Sequence, residues 1–561
     1  MTSPVPLGRR PRPATSVEVG LLGALLAFSV LLIHVPATLW AGNTTEFTVG
    51  FASLFALGLA VTAIGVLVTW AVLSSLPEGV RGAVGALICA VGFLWWGYGM
   101  LFVGRMRVLN GVDQPVDFET PLGRWEVVLA AAICLLVAWG IQRKPGPART
   151  LLIVFNAGLA VVTGMTLYEA WTRSRPSSVG DTSAVFDFSP KQNVLIILLD
   201  GLQSDVADGV LQADPALTAL FEGFRLFPDT LGVAPTTFLS LPALHSGDVY
   251  RSPQNLSQYL THSIEQRSFM NRFAQAGYAT ALVNPILGIC PTATTACVSA
   301  SQLLRTPLAR LKSEAARLLD LALFRVLPVR LKRRVYREGN WLISGRVDRP
   351  DGVAQVLDGN RLLEEAARRF TVVAPAPTLK FLHSRATHTP YVLDAACTVA
   401  KHSLAHLGSQ SRCALRAVTV LLERLKQAGI YDRSLILVVA DHGVNPGMYT
   451  SDPPGSHQQW VHRAGAANPL FLLKPLQSRG PLRRESAPVY LPDVGATLCV
   501  LSEACSVAEG IPAGAASASR VRRFILHPWQ HQFWTTQELP GITTYDVHGP
   551  LTDEASWHLA P

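Results

Sequence analysis

Charged side chains are scarce in this chain. They make up 16% of the 561 residues against 49% hydrophobic ones, with a mean hydropathy of +0.28, and this excludes an ordinary soluble enzyme. Cysteine is sparse as well: there are eight, and none stands in a C-x-x-C pair, which disfavours a thiolate zinc cage. Internal repeats and low-complexity tracts are missing, and no small-x-small cleavage site follows the first apolar run cleanly. That run therefore reads as a retained span rather than a removed signal peptide.

The apolar excess is concentrated before residue 171. Five segments there, 18–40, 47–75, 82–103, 125–142 and 149–170, meet the length of roughly 20 residues that a bilayer crossing needs. Orientation follows from the basic residues, which accumulate in short cytoplasmic loops. Arg9, Arg10 and Arg12, then Arg81, then Arg143, Lys144 and Arg149 fall on the amino-terminal side, and the first loop on the other side, Ala41 to Glu46, has none. Arg105, Arg107 and Arg124 oppose the bias, in a loop that also carries Asp113, Asp117 and Glu119. An odd number of spans then puts everything after residue 171 outside the cytoplasm, as a multi-pass plasma (inner) membrane protein with an extracytoplasmic, periplasmic domain. Six cysteines on that side fall into close couples, Cys290 with Cys297, Cys397 with Cys413, and Cys499 with Cys505. Local disulfides are expected, since that compartment is oxidising, although six cysteines allow fifteen pairings.

Thr172 to Asp181 has the composition of a tether. Beyond it, apolar runs of strand length at Asn193–Leu199, Tyr278–Val283, Leu379–Leu382, Ser434–Ala440 and Pro469–Leu473 alternate with helical stretches such as Ala414–Gln427, the pattern of a mostly parallel sheet covered by helices. The expected organisation is a transmembrane domain over 1–170, a linker over 171–191, a catalytic domain over 192–515 and an aromatic-rich extension over 516–561. The extension carries Trp529, Trp534, Tyr545 and Trp557 and reads as an appended strand or hairpin, with contact to the membrane interface as the sharper alternative.

Open α/β sheets place their chemistry at the carboxyl ends of the strands. The run Ser434–Ala440 delivers Asp441 and His442 there, and Val194–Leu199 delivers Asp200. Taken singly, Asp200-Gly201 is a common turn dipeptide; together the three side chains suit a zinc-like divalent ion. Hydroxyls for a nucleophile stand at Thr236, Thr237 and Ser240, before a helical stretch whose amino terminus favours developing negative charge. A plain capping role is the alternative for each.

These residues resemble the alkaline phosphatase and sulfatase superfamily, and within it the membrane-anchored group of lipoteichoic acid synthases and phosphoethanolamine transferases. Phosphoethanolamine transferases carry a Thr three residues before Ser-x-Pro, as Thr237 stands before Ser240-Leu241-Pro242; sulfatases carry their modified residue ten before a Gly, as Thr237 stands before Gly247. The sulfatase signature C/S-x-P-x-R is incomplete, with Leu244 in place of the arginine, which argues against formylglycine chemistry. The resemblance implies an alkaline-phosphatase-like α/β sandwich and one divalent metal, zinc with manganese or magnesium as alternatives. Asp200, Thr237, Asp441 and His442 are its implied ligands, and Thr237 is the implied nucleophile. Asp200 departs from the Glu that many of the transferases use. His388, before Thr389-Pro390-Tyr391, takes the place of the family's substrate-side His, with His383 and Arg385 as further substrate contacts. Either His457 or His462, in the stretch Tyr449–Arg463, is a further candidate.

The basic, leucine-rich stretch Leu303–Arg337 suits an anionic membrane surface, or equally a core-packing helix with a solvated face. Nucleic acid does not explain the net charge of +9, because this stretch lies outside the cytoplasm. The expected reaction is transfer of a phosphoglycerol or phosphoethanolamine unit from a phospholipid donor to an envelope glycan or lipid. Hydrolysis of a phosphate or sulfate ester is the alternative among enzymes, and an inactive lipid-binding regulatory module is the alternative of another class.

Overall fold

A computed structural model describes residues 16–44, 47–102, 123–173, 180–348, 351–400, 406–444, 457–505, 510–515, 519–527 and 538–560. The amino-terminal arginines 9, 10 and 12, the loop with Arg105, Arg107, Asp113, Asp117 and Glu119, the tether residues 174–179, the stretch 445–456, and Trp529 and Trp534 lie outside the described residues. The chain forms two compact units, one of Met1–Arg175 with Pro307–Asp351, the other of Pro176–Thr306 with Gly352–Pro561.

Among the described residues of the first unit, five helices are long and apolar enough to cross a membrane: α1 (Ser16–Gly42), α2 (Phe51–Ser75), α3 (Glu78–Met100), α4 (Trp125–Arg143) and α5 (Pro145–Thr172). Apolar side chains such as Leu67, Leu135, Leu136 and Trp171 are exposed on them, which suits lipid contact and not water. Helices α1 and α3 approach closely because they meet at glycines, the usual device where apolar surroundings supply no driving force. A Cβ on Gly23 would stand 2.4 Å from Cys89 Sγ, and one on Gly92 would stand 2.9 Å from the Gly23 carbonyl oxygen.

The surprise of this unit is its last piece. Two helices, Pro307–Val326 and Val329–Tyr336, arrive from within the stretch expected to be wholly catalytic and pack on one end of the bundle. Leu318 shares a buried cluster with Trp40, Phe47, Leu54 and Ala170, and Ala322 and Val326 join Val30 and Val35. The apolar stripe of the longer helix is thus shared between the spans and the short helix with Trp341, on which Phe324 packs.

The second unit is built on an eight-stranded sheet. Its strands, in chain order, are β1 (Asn193–Leu199), β2 (Arg225–Leu226), β3 (Ala279–Val283), β4 (Ala296–Val298), β5 (Thr378–Ser384), β6 (Ser434–Val439), β7 (Phe471–Lys474) and β8 (Arg483–Arg484). They lie in the order β8-β2-β7-β6-β1-β5-β3-β4, with β7 alone antiparallel to both its neighbours. Every residue of β1, β5 and β6 is buried. Leu195, Ile197 and Leu199 face one core with the helix Leu407–Gln427, while Val194, Ile196 and Leu198 face another with Phe269 and Leu498. A sheet covered on both faces has to read as unbroken apolar runs.

The expected disulfides Cys290–Cys297, Cys397–Cys413 and Cys499–Cys505 are formed, while Cys89 and Cys134 are free. The end of the supposed linker is ordered, Asp187–Phe188 pairing with Thr371–Val372. The carboxyl-terminal extension is a three-stranded antiparallel sheet, β9 (Val521–Leu526), β10 (Thr543–His548) and β11 (Trp557–Leu559). Its Phe524, Val547 and Trp557 are buried in a core with Leu231 and Tyr259, so Trp557 is a packing residue.

Candidate active site

The register of the central strands assembles the site. Leu199 lies beside Ser384, and Leu198 beside Val439. Residues just beyond the ends of β1 and β6, and the end of β5 itself, therefore meet at one edge of the sheet. There a ligand atom from each of Asp200, Asp441 and His442 lies within 4.8 Å of the others, an arrangement that can hold a metal ion. His442 Nε2 is 3.8 Å from Asp200 Oδ1 and 3.5 Å from Asp441 Oδ2, and both oxygens are buried without a hydrogen-bond partner among the described residues. Two buried, unsatisfied carboxylate oxygens around one imidazole are costly unless a cation completes them, so the donor set fits a borderline divalent ion.

The tautomer of His442 fits too. Its Nδ1 is 2.8 Å from the Gly443 carbonyl oxygen, an atom that only accepts, so Nδ1 carries the proton and Nε2 presents its lone pair to the carboxylates. A backbone carbonyl fixing a ligand imidazole in this way is a usual supporting contact. Burial works against charge on both partners. For Asp200 burial favours the neutral carboxyl, but the neighbouring His388, the hydrogen bond from His383 and the nearby His442 outweigh it and hold the carboxyl below the usual range. For His442 the two carboxylates outweigh burial and raise its pKa; a proton then competes with a metal for the same lone pair.

Thr237 opens helix α6 (Thr237–Ser246), with Thr236 as the residue before it in extended conformation. The Thr237 hydroxyl is 3.4 Å from His442 Nε2. Of the three candidate hydroxyls it is the one that meets the cluster. Ser240 is fully buried and turned back onto the preceding loop, donating to the Ala234 carbonyl at 2.8 Å and accepting from the Ala234 amide at 3.3 Å. The Thr236 hydroxyl is buried with no hydrogen bond among the described residues, so it does not cap the helix.

His383 stands against the Asp200 carboxylate. Its Nε2 is 3.2 Å from Asp200 Oδ2 and its Nδ1 is 3.1 Å from the Asn284 carbonyl oxygen. Both ring nitrogens face acceptors, so both bonds form only when the ring carries two protons. Arg385 is about half exposed, with Nε 3.8 Å from Asp200 Oδ2 and Nη1 donating to Gln355 at 2.8 Å. His388 is half-buried; its Nδ1 donates to the Thr389 carbonyl at 2.7 Å, which leaves Nε2 available.

His457 stands apart from this group. It begins the helix His457–Ala466 with its side chain exposed, 2.9 Å from Glu554 and stacked on Trp460. His462 is half-buried further along the same helix and is not among the side chains that converge as ligands. Two contributors escaped the sequence reading. The Gly201 amide donates to Asp441 Oδ1 at 3.1 Å, and the Thr387 hydroxyl donates to the Asp200 carbonyl at 2.8 Å. The Asp200-Gly201 turn was the available signal for the first: Gly201 has φ +72°, a conformation that suits glycine.

Among solved structures, the PsFucS1 sulfatase from Pseudoalteromonas sp. is 13% identical, covering 66% of this chain and 82% of its own, with a TM-score of 0.39. The phosphonate monoester hydrolase SpPMH from Silicibacter pomeroyi is 15% identical over 64% and 85%, TM-score 0.35. The C-terminal periplasmic domain of EcEptC from Escherichia coli is 13% identical over 56% and 85%, TM-score 0.33. No curated protein sequence matches. The sulfatase family model matches residues 192–502, from the first residues before β1 to the helix that ends at Ser502; the strand ends, the helix opened by Thr237 and the group Asp200, Asp441 and His442 all fall inside that range, and the chain belongs to the sulfatase family.

Proposed function

We propose that this domain is a metal-dependent transferase that moves a phosphoglycerol or phosphoethanolamine unit from a phospholipid to an envelope glycan or lipid, through a phosphate ester on Thr237. The observation that carries the reading is the Thr237 hydroxyl at the amino end of α6, 3.4 Å from His442 and beside Asp200 and Asp441, in a chain with five membrane-length helices. Asp200, Asp441 and His442 would hold the ion, zinc by ligand type with manganese or magnesium as alternatives. When bound, it supplies positive charge that acidifies a neighbouring hydroxyl and offsets charge on phosphoryl oxygens.

The protein's own groups divide the remaining work. Thr237 Oγ1, its proton lost to solvent, bonds to phosphorus while the bond from phosphorus to the diacylglycerol oxygen breaks. The amino end of α6 favours the charge that develops there. His388, protonated at Nε2, gives that proton to the departing oxygen. In the second half the acceptor hydroxyl gives its proton to His388 and bonds to phosphorus, and the Thr237 oxygen leaves and is reprotonated. Arg385, at the rim, offers a cation to the substrate's anionic oxygens.

Hydrolysis of phosphate or sulfate esters is the second reading, and the family match favours it. The buried, internally bonded Ser240 and the leucine at position 244 weigh against a formylglycine-type sulfatase. The test is to incubate the purified full-length protein with headgroup-labelled phosphatidylglycerol and phosphatidylethanolamine and map the label by mass spectrometry. A headgroup phosphate on Thr237, lost in Thr237→Ala and kept in Thr236→Ala, supports the transferase. Release of sulfate from an aryl sulfate with no adduct would replace it with hydrolysis, and a bound metal with no turnover of any ester would indicate the inactive module.

A further inference from the structure

The segment Pro307–Asp351 holds eleven Lys and Arg against five Asp and Glu, so it supplies six of the chain's nine net positive charges. Four of these acids have partners of their own. Glu314 accepts from the Thr48 amide and hydroxyl and from the Val49 amide, and the fully buried Asp320 accepts from the Ile343 and Ser344 amides. Asp348 accepts from Ser313, and Glu338 lies 4.0 Å from Arg333. By contrast Lys312, Arg330, Arg334 and Arg337 are exposed and make no ion pair with any described residue. The apolar side of the short helix is already buried, with Val335 and Tyr336 packed on Phe324 and Trp341. What it leaves outside is a row of cations.

The attachment points fix where that row lies. Arg325 donates to the Gly99 carbonyl at the carboxyl end of α3 and to Thr38 near the carboxyl end of α1. The Val329 amide donates to Glu126 at the amino end of α4, and Glu314 grips the loop between α1 and α2. Successive spans alternate in direction, so all four places belong to the same side of the membrane. By the arginine bias it is the outer side. Arg330 follows the residue bonded to Glu126 directly, and the eight-residue helix Val329–Tyr336 extends only about 12 Å from there. The headgroup layer begins where the spans end and is roughly 5–8 Å deep on each side.

We infer that Pro307–Asp351 is an interfacial clamp whose exposed cations Lys312, Arg330, Arg334 and Arg337 bind the phosphates of anionic glycerophospholipids in the outer leaflet. Charge complementarity at the headgroup level selects that occupant; the surface is independent of the chemistry at Thr237. The test uses the full-length protein in neutral detergent, titrated with dioctanoyl phosphatidylglycerol or dioctanoyl phosphatidylcholine and read by native mass spectrometry. Phosphatidylglycerol should bind in preference. The variant with Lys312, Arg330, Arg334 and Arg337 all changed to Gln should bind it at least about tenfold more weakly, with no change for phosphatidylcholine. A companion variant with the three arginines changed to Lys should keep the binding, which separates lost charge from lost fold. Equal phosphatidylglycerol binding by wild type and the Gln variant, or equal affinity of the wild type for both lipids, would overturn the clamp.

Discussion

Asp200 Oδ1 and Asp441 Oδ2 face each other across His442 with no donor among the described residues, and burying an unpaired charged acceptor costs on the order of 1–3 kcal/mol or more. A bound cation removes that cost, and the residues behind the carboxylates decide how well they are aimed. His383 is the one that bonds Asp200 directly. His383→Ala should therefore weaken zinc binding by about 10–100-fold, measured by competition with a chromophoric chelator. His457→Ala, remote from the cluster, should leave that affinity unchanged. Asp200, Asp441 and His442 were legible because each stands within three residues of the end of a long apolar strand. The role of His383 was not: within a buried strand, which neighbour a side chain meets depends on the register of β5 against β1, a pairing across some 180 residues that no local pattern encodes.

At the scale of elements, apolar runs announced the central strands and missed the two-residue strands at one edge, Arg225–Leu226 and Arg483–Arg484. Those pairs carry a charged residue at half or more of their positions, so they have no apolar run to betray them. The small carboxyl-terminal sheet shows what else is hidden. Arg522 on β9 is fully buried; its guanidinium donates to the Asp229 carboxylate and to the carbonyls of Asp229, Val489 and Gly549. In the sequence it is one arginine among three in Arg520-Val-Arg-Arg523, and Arg523 beside it makes an exposed ion pair with Asp546. Removing one partner of a buried pair strands the other, so Arg522→Met should destabilise the second unit by about 3–5 kcal/mol, read as a lowered melting temperature. Arg523→Met should cost less than about 1 kcal/mol. Adding Asp229→Leu to Arg522→Met should restore much of the loss, since the stranded carboxylate goes with it.

At the scale of the whole molecule, the chain passes between its two units three times: after Arg175, after Thr306 and after Asp351. The five spans were readable from hydropathy alone. The return of Pro307–Asp351 to them was not, because a helix with an apolar stripe and a basic face reads the same whether its stripe meets a sheet or a span. What the structure adds is the identity of the partners, Trp40, Phe47, Leu54 and Ala170 around Leu318 and Val30 and Val35 around Ala322 and Val326, all from the span-bearing unit. A chain begun at Pro176 keeps the insertion but loses the spans that cover Leu318, Ala322 and Val326. Such a chain should bind detergent and elute as an aggregate without it. Arg305 and Asp358, which flank the insertion, form an ion pair at 3.0 Å, so its two ends lie within reach of a short connection. Joining Thr306 to Gly352 through a brief Gly-Ser linker, in the same span-free chain, should therefore give a soluble monomer by size-exclusion chromatography that still binds zinc, because Asp200, Asp441 and His442 rest on strands of the second unit. Aggregation of both forms would mean that apolar surface other than the insertion's is left bare when the spans are removed.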